Sequence, residues 1–366
     1  MKQNLISIIE HFCFQGEFID ASPYGSGHIN DTYVATFRKS EGSKLRYIIQ
    51  RINTSVFKSP ENLMENIEGI TAHLRKKIID AGGNPDRETL NIIPTITDES
   101  FYRDNEGNCW RGYIFIEDAH TYDVVDNAEY MYAAGNAFGR FQELLSDYPA
   151  EKLHETIPDF HHTVKRYEAF VNALENDVMN RAGSAKEEIE FTLKRSEDTR
   201  LLVDMLESGK LPLRVTHNDT KINNVMIDDS SGDGICVIDL DTVMPGSALY
   251  DFGDSIRSGA NPAAEDERDL SKVWMELTLF EKFTKGFLDS ARGFLTSAEL
   301  EHLPFAAKLM TFECGIRFLT DYLNGDVYFK IHREGHNLDR ARTQFKMIAD
   351  MENKFEKMHR IVSRYI

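Results

Sequence analysis

The run Val215-Thr216-His217-Asn218-Asp219-Thr220-Lys221-Ile222-Asn223-Asn224-Val225 decides how the rest of the chain is read. Short apolar segments flank a polar loop, which is the look of two strands joined across a turn. Inside the loop the pattern is H-x-D-x-x-x-x-N. It places a carboxylate and a neutral amide oxygen on one short loop. Phosphoryl transfer from a nucleotide needs such a pair, one group beside the attacking hydroxyl and the other on the metal side. Asp219 is the candidate catalytic base and Asn224 a candidate Mg²⁺ ligand. His217 is read as structural, holding the loop by hydrogen bonds.

Downstream, a second oxygen ligand is expected at the end of a nearby strand. Cys236-Val237-Ile238-Asp239 supplies it, twenty positions after Asp219. Asp251-Phe252-Gly253 is a literal D-F-G, the metal motif of protein kinases. It is set aside because Ser247 to Tyr250 before it reads as a weaker strand than Cys236 to Ile238. Asp239 is therefore the candidate second metal ligand.

Upstream, Tyr24-Gly25-Ser26-Gly27-His28-Ile29-Asn30 precedes a strand, Thr32 to Phe37. Paired glycines let backbone N–H groups approach phosphate oxygens, so Gly25, Ser26 and Gly27 are the candidate nucleotide loop. The next strand, Tyr47 to Arg51, has no lysine where a protein kinase carries one. Gln50 or Arg51 must then meet the phosphates, and Glu68 on the following helix is a possible partner for Arg51.

Around these motifs the first third is strand-rich. A polar connector at 39–44 implies a hairpin. Leu63, Ile67, Ile70 and Leu74 mark a helix over 60–75, and further strands are expected at 92–96 and 111–116. After residue 117 helices dominate, at 130–145, 187–206, 270–288, 299–323 and 343–365. The expected fold is α+β, a small antiparallel-sheet lobe over residues 1–118 and a larger, mainly helical lobe over 119–366. A cleft between such lobes is a usual ligand site.

Composition narrows the partners. The chain has 366 residues, with 42 basic and 60 acidic side chains and a formal net charge of −18. That excludes a basic nucleic-acid footprint or a polybasic membrane patch as the main function. Cys13, Cys109, Cys236 and Cys314 lie far apart without a C-x-x-C, so they are read as buried, reduced thiols. The first eleven residues read as an amphipathic helix and not a signal peptide. No apolar stretch approaches the ~18 residues that span a bilayer. A cytoplasmic protein with no nucleic-acid and no membrane partner is the expectation.

Four segments carry a resemblance: PYGSGHINDTY at 23–33, LRVTHNDTKINNVMID at 213–228, VIDLDTVMPGSALYDFGDSIR at 237–257 and ECGIRFLTDYLNGDVYF at 313–329. On these the chain resembles the aminoglycoside phosphotransferase and choline kinase group of small-molecule kinases, a branch of the protein-kinase-like fold. Within it, the chain looks like the bacterial kinases that phosphorylate the anomeric hydroxyl of N-acetylhexosamines. The resemblance implies ATP as co-substrate, Mg²⁺, and a sugar acceptor. It matches Asp219 to the base, Asn224 and Asp239 to the metal ligands, and Gly25 to Gly27 to the nucleotide loop. Tyr113 to Glu117 match the hinge that meets adenine, with Phe115 and Glu117 as its contacts. Asp251 matches an aspartate that braces the catalytic loop. The sugar contacts fall on His28, Arg317 and Tyr328. The missing A-P-E argues against a protein acceptor.

The rival readings are a kinase of another hydroxyl compound and a non-catalytic pseudokinase. Lys354, Lys357, Arg360 and Arg364 outnumber Glu356 near the C-terminus, which argues mildly against a polycationic acceptor. Trp110 and Trp274 give no sign of a choline cage. The absent lysine is the only support for a pseudokinase.

Overall fold

The computed structural model describes residues 2–25, 29–123 and 127–366, with side chains from residue 5 onward. Five strands pair antiparallel in the spatial order β1 (Glu17–Pro23), β2 (Asp31–Arg38), β3 (Lys44–Ile52), β6 (Cys109–Ile114), β4 (Ile92–Ile93), and β5 (Tyr102–Arg103) pairs with β6. The 39–44 connector is a hairpin turn. Lys39 N–H donates to the Ser43 carbonyl at 2.8 Å, and Gly42 takes the left-handed conformation at φ 91°.

Side chains alternate across the sheet, so each strand sends residues to two environments. Tyr47, Ile49 and Trp110 face a small core closed by Leu5, Ile8 and Ile9 of α1 (Lys2–Ile9). The other face, with Ile48 and Gln50, lines the cleft between the lobes. Helix α2 (Pro60–Asp80) is longer than expected because Ile78 is also buried. Its Leu63, Met64, Ile67 and Leu74 share one hydrophobic core with helices of the second lobe. Short α3 (Pro85–Glu88) and β7 (Ala119–His120) follow it around the lobe junction.

In the second lobe, α4 (Ala128–Leu144) packs closely on α9 (Leu277–Ala291). A Cβ on Gly286 would strike the Tyr132 carbonyl, and one on Gly139 would lie 2.5 Å from the Phe287 carbonyl. Helices α5 (Thr163–Asn176), α6 (Lys186–Leu193) and α7 (Leu201–Glu207) follow α4 in sequence. Two small sheets carry the loops: β10 (Gly234–Val237), β9 (Val225–Asp228) and β7 in one, β11 (Met244–Gly246) and β8 (Arg214–Thr216) in the other. Helix α8 (Ala248–Gly259) packs on α10 (Ser297–Asn324), which α11 (His336–Val362) also covers.

Several elements differ from expectation. The single helix over 187–206 is α6, a 3₁₀ turn at Ser196–Thr199, and α7. The Thr163 hydroxyl takes the Thr199 carbonyl as its acceptor at that break. Ser247 to Tyr250 is no strand: Ser247 caps α8, accepting from the Leu249 N–H at 3.3 Å. Leu249, Phe252 and Ile256 of α8 recur at helical spacing, but its polar residues are buried almost as fully, so it shows hardly any solvent face. β1 and α5 went unread, β1 because its edge position leaves a mostly exposed pattern. The four cysteines are free, but only Cys109 and Cys236 are buried: Cys314 is half-buried on α10, and Cys13, in the segment after α1, is exposed. Among the described residues no helix is long and apolar enough to cross a membrane.

Candidate active site

The catalytic loop leaves β8 after Thr216 and is fastened from behind. Asp251, in the first turn of α8, accepts from the N–H groups of His217 (2.9 Å) and Asn218 (2.8 Å) and from Gln142 Nε2 (2.7 Å). His217 Nε2 lies 2.8 Å from the Ile238 carbonyl, tying the loop to the strand that ends in Asp239. Asn218 takes a left-handed conformation at φ 65°, and its side chain donates to the Thr242 carbonyl at 2.8 Å. A loop so fully hydrogen-bonded holds the next side chain, Asp219, in one place. Gly253 belongs to the same scaffold: a Cβ there would strike the Ala306 carbonyl of α10. The D-F-G is thus packing and bracing.

The Asp219 carboxylate lies against Asn224, whose Nδ2 is 3.3 Å from its Oδ2, and beside Lys221, whose Nζ lies 2.8 Å from its Oδ1. Burial alone would raise the Asp219 carboxyl. Lys221 outweighs it, with help from His217 and Arg257, and holds it below the ordinary range. Asn224 Nδ2 donates to the Asp219 carbonyl at 2.7 Å, leaving its amide oxygen toward the cleft it lines. Asp239 lines the same cleft at φ 58°. Burial, then the charges of Asp241 and Asp219, push its carboxyl up to about 6. A buried carboxylate beside two others invites a cation, and an all-oxygen donor set suits Mg²⁺. Among the described residues no three His, Cys, Asp or Glu side chains close on a metal by themselves. That agrees with the habit of Mg²⁺ of using one or two protein ligands and completing its shell with phosphates and water.

Sheet register settles the choice between Gln50 and Arg51. Thr32, Gln50 and Arg111 stand directly opposite one another on β2, β3 and β6, all on the cleft face. Gln50 Nε2 donates to Thr32 Oγ1 at 3.0 Å, and its Oε1 accepts from Arg111 Nε and Nη2 at 3.1 and 2.9 Å. Arg51 points to the opposite face and pairs there with Asp31, so it does not reach the phosphates, and Glu68 is not its partner. The cation in the cleft is Arg111, which sequence reading missed. It is 1% exposed and lies 2.5 Å from Asp241 Oδ1. Burial opposes its charge, but Asp241 and then Asp239 overcome that and raise its pKa. Asp241 Oδ2 in turn accepts from Asn30 Nδ2 at 2.6 Å.

The cleft has a free volume of about 240 Å³. Ile48, Leu90, Met226 and Ile238 give it apolar walls of the kind a purine needs. Gly25 lines its mouth at φ 78°, and Phe115 lines its back, under the Arg46 guanidinium at 3.9 Å. Ser26, Gly27 and His28 lie outside the described residues. Glu117 is not a cleft side chain. It pairs with Arg46 at the surface, and its carbonyl accepts from Arg87 Nη2 at 2.9 Å.

A second group of charges gathers on the α10 side of the loop. Arg317 of α10 has Glu313 Oε1 4.0 Å away and the rings of Phe160, Tyr328 and Phe329 around it at 5.2, 5.9 and 5.6 Å. It does not pair with Asp321, whose carboxylate accepts the N–H groups of Val327, Tyr328 and Phe329 and so shapes the turn after α10. Tyr328 is largely exposed at 65%. Burial and the nearby Arg317 lower the Arg166 guanidinium from its ordinary value. Arg257, buried on α8, pairs with Asp254 at 2.8 Å. The structure therefore brings Asn224 and Asp239 to one cleft, with Asp219 against Asn224 and with Gln50, Gly25 and Phe115 along the cleft. Arg317 and Tyr328 stand together on the other side of the loop.

The model of a phosphotransferase enzyme family matches residues 20–275. Solved structures share the fold over nearly the whole chain. A microcompartment-associated aminopropanol kinase matches with a TM-score of 0.62 at 12% identity, over 98% of each chain. Choline kinase from Cryptosporidium parvum Iowa II matches at 0.61 and 13% identity, over 99% of each chain. A spectinomycin phosphotransferase in complex with ADP and spectinomycin matches at 0.58 and 13%, over 98% of this chain and 99% of that one. The architecture is the bilobal, kinase-like one, and at these identities the likeness is of fold.

Proposed function

The chain belongs to the phosphotransferase enzyme family, and on that premise we propose that it is an ATP-dependent kinase of the anomeric hydroxyl of an N-acetylhexosamine. One observation carries the acceptor class. Lys221 and Arg257 act on Asp219 from its own surroundings, and Arg317 and Arg166 stand in the adjoining group. The four cations are matched by carboxylates, Lys221 by Asp219, Arg257 by Asp254 and Glu265, and Arg317 and Arg166 by Glu313, so they offer no surplus of negative charge to a cationic acceptor such as choline, an amino alcohol or an aminoglycoside. They suit a neutral acceptor rich in hydroxyl and carbonyl oxygens, and guanidinium groups donate well to both.

In this reading ATP lies along the cleft, its base against Ile48, Leu90 and Met226 and its phosphates toward Gly25 and the Arg111 side of the sheet. Asn224 and Asp239 hold Mg²⁺, which when bound neutralises charge on the phosphate oxygens. Asp219 accepts a hydrogen bond from the anomeric hydroxyl and orients its oxygen toward the γ-phosphorus. The new O–P bond forms as the bond from γ-phosphorus to the β,γ-bridging oxygen breaks. ADP leaves with that electron pair, and the hydroxyl proton passes to Asp219. A carboxylate held below its ordinary pKa is a weak base, so it takes the proton late. An anomeric hydroxyl, acidified by the ring oxygen, matches a weak base better than an ordinary alcohol does. Positioning supplies most of the rate.

The test is ADP release with Mg²⁺-ATP over N-acetylglucosamine, N-acetylgalactosamine, N-acetylmannosamine, galactose, choline, 1-amino-2-propanol and 1-deoxy-N-acetylglucosamine. Turnover of N-acetylhexosamines that vanishes with the 1-deoxy sugar is expected. Turnover confined to the amino alcohols overturns the acceptor class, and silence across the panel with measurable ATP binding favours a pseudokinase.

A further inference from the structure

His161 lies outside every segment that the sequence singled out, in the turn before α5. Its side chain is 6% exposed, and each ring nitrogen has a partner. Nε2 is 3.0 Å from the Asn218 carbonyl and Nδ1 is 2.8 Å from Glu313 Oε1. The Asn218 carbonyl and the Glu313 carboxylate are both acceptor groups, so the ring bridges two acceptors from one buried position. Burial pushes the Glu313 carboxyl up, but His161, then Arg317 and Arg166, hold it down and ionised.

The two ends of this bridge belong to different parts of the site. Asn218 immediately precedes Asp219, and its left-handed backbone sets the direction in which Asp219 leaves the loop. Its N–H is held by Asp251 and its side chain by the Thr242 carbonyl, so His161 holds the remaining polar group, the carbonyl, from the opposite side. Glu313 lies one turn from Arg317 on α10, and Phe160, beside His161 in the chain, lies under the Arg317 guanidinium. Glu313 is itself 1% exposed and keeps its second oxygen, Oε2, without a protein hydrogen bond. The pair is thus buried, only partly satisfied, and set between the acceptor-side cations and the base.

We propose that His161 is a positioning residue that couples the Glu313–Arg317 side of the acceptor site to the orientation of Asp219 through the Asn218 carbonyl. The acceptor half of this statement rests on the function proposed above. The coupling predicts a division of labour between the two ring nitrogens. His161→Asn keeps a donor near the Nδ1 position, facing Glu313, and loses the bond to Asn218. His161→Gln reaches the Nε2 position, facing Asn218, and loses the bond to Glu313.

With whichever acceptor the panel identifies, His161→Asn is expected to lower kcat about 10- to 100-fold, the cost of leaving the buried Asn218 carbonyl without its partner, with acceptor KM within about twofold. His161→Gln is expected to keep kcat within about threefold and to raise acceptor KM several-fold, to about 5- to 10-fold. A purely structural role would move kcat and KM together in both variants, and that result overturns the proposal. Hydrogen–deuterium exchange at backbone amides 218–221 of the acceptor-free protein separates this from failure of the functional reading. Exchange faster in His161→Asn than in His161→Gln supports the coupling even if no sugar is turned over, and equal exchange sinks it. Should either variant melt early, Glu313→Gln takes its place: faster exchange at 218–221 is expected of it, and unchanged exchange overturns the proposal.

Discussion

The loop that carries Asp219 and the charged group around Arg317, the acceptor side in the function proposed above, are built on opposite plans. The loop between β8 and β9 is short in sequence and saturated with hydrogen bonds, from Asp251 beneath, from the Ile238 carbonyl beside and from Asn224 across. The acceptor side gathers residues 160–166, 254–257 and 313–328 from distant parts of the chain, and it leaves Arg317 facing aromatic rings with its nearest carboxylate 4.0 Å away. A reaction common to many enzymes can be fixed rigidly, because the phosphate chemistry never changes. Recognition of one acceptor needs polar groups that wait for a ligand, and it is assembled from whatever segments the fold brings near.

Four substitutions and one change of conditions probe that contrast. Asp219→Ala has the largest expected effect, a loss of kcat of at least ~10²- to 10⁴-fold with folding and ATP binding nearly intact. A variant that kept more than about a tenth of wild-type kcat would remove Asp219 from the role of base. Arg111→Met comes next. It leaves Asp241 as a buried, unpaired carboxylate, and breaking such a pair costs about 3–5 kcal/mol. Arg51→Met, on the other face of the same sheet, disturbs an exposed pair worth no more than ~1 kcal/mol. Denaturant unfolding should separate the two, and equal losses would contradict the register assignment.

Arg317→Ala should raise acceptor KM about tenfold while ATP KM stays within about twofold. Steady-state kinetics in both substrates would show whether the acceptor-side group is separate from the nucleotide cleft. The smallest effect concerns Asp239, whose carboxyl sits near 6 against an ordinary 3.8. Without metal the folded state holds a proton that the unfolded chain has already released, so its stability falls as pH rises between about 4 and 6. A divalent cation replaces that proton. Mg²⁺ with nucleotide should therefore raise Tm more at about pH 7 than at about pH 5, by calorimetry. An equal rise at both pH values would count against Asp239 as the ligand.

The same contrast explains what could be read in advance. The H-x-D-x-x-x-x-N run and the strand ending in Asp239 are local patterns, and a local pattern survives without knowledge of the fold. Gln50 against Arg51 could not be decided, because neighbouring strand positions point oppositely and only the pairing of Gln50 with Arg111 says which is inside. Arg111 itself was hidden in Cys109-Trp110-Arg111-Gly112-Tyr113-Ile114, where one cation among apolar residues looks like a strand edge facing water. Lys221 lay two positions from Asp219 and could have been weighed as its partner. α8 was misread although Leu249, Phe252 and Ile256 recur at helical spacing, because the D-F-G inside it invited comparison with a metal motif that follows a strand. His161 and Glu313 are 152 positions apart, and no spacing rule reaches that far.

The clasp on Asp241 has a mechanical consequence. Arg111 and Asn30, both from the sheet lobe, grip one carboxylate of the other lobe at the deep end of the cleft. The two lobes cannot part there without stranding a buried charge, so that end acts as a pivot and breathing is confined to the rim. The pair of Arg46 with Glu117 is exposed to solvent, and so is that of Arg51 with Asp31 on the far face of the sheet. Added salt screens these surface contacts and barely reaches the pivot. Ionic strength should therefore leave the register of the two lobes at that end unchanged.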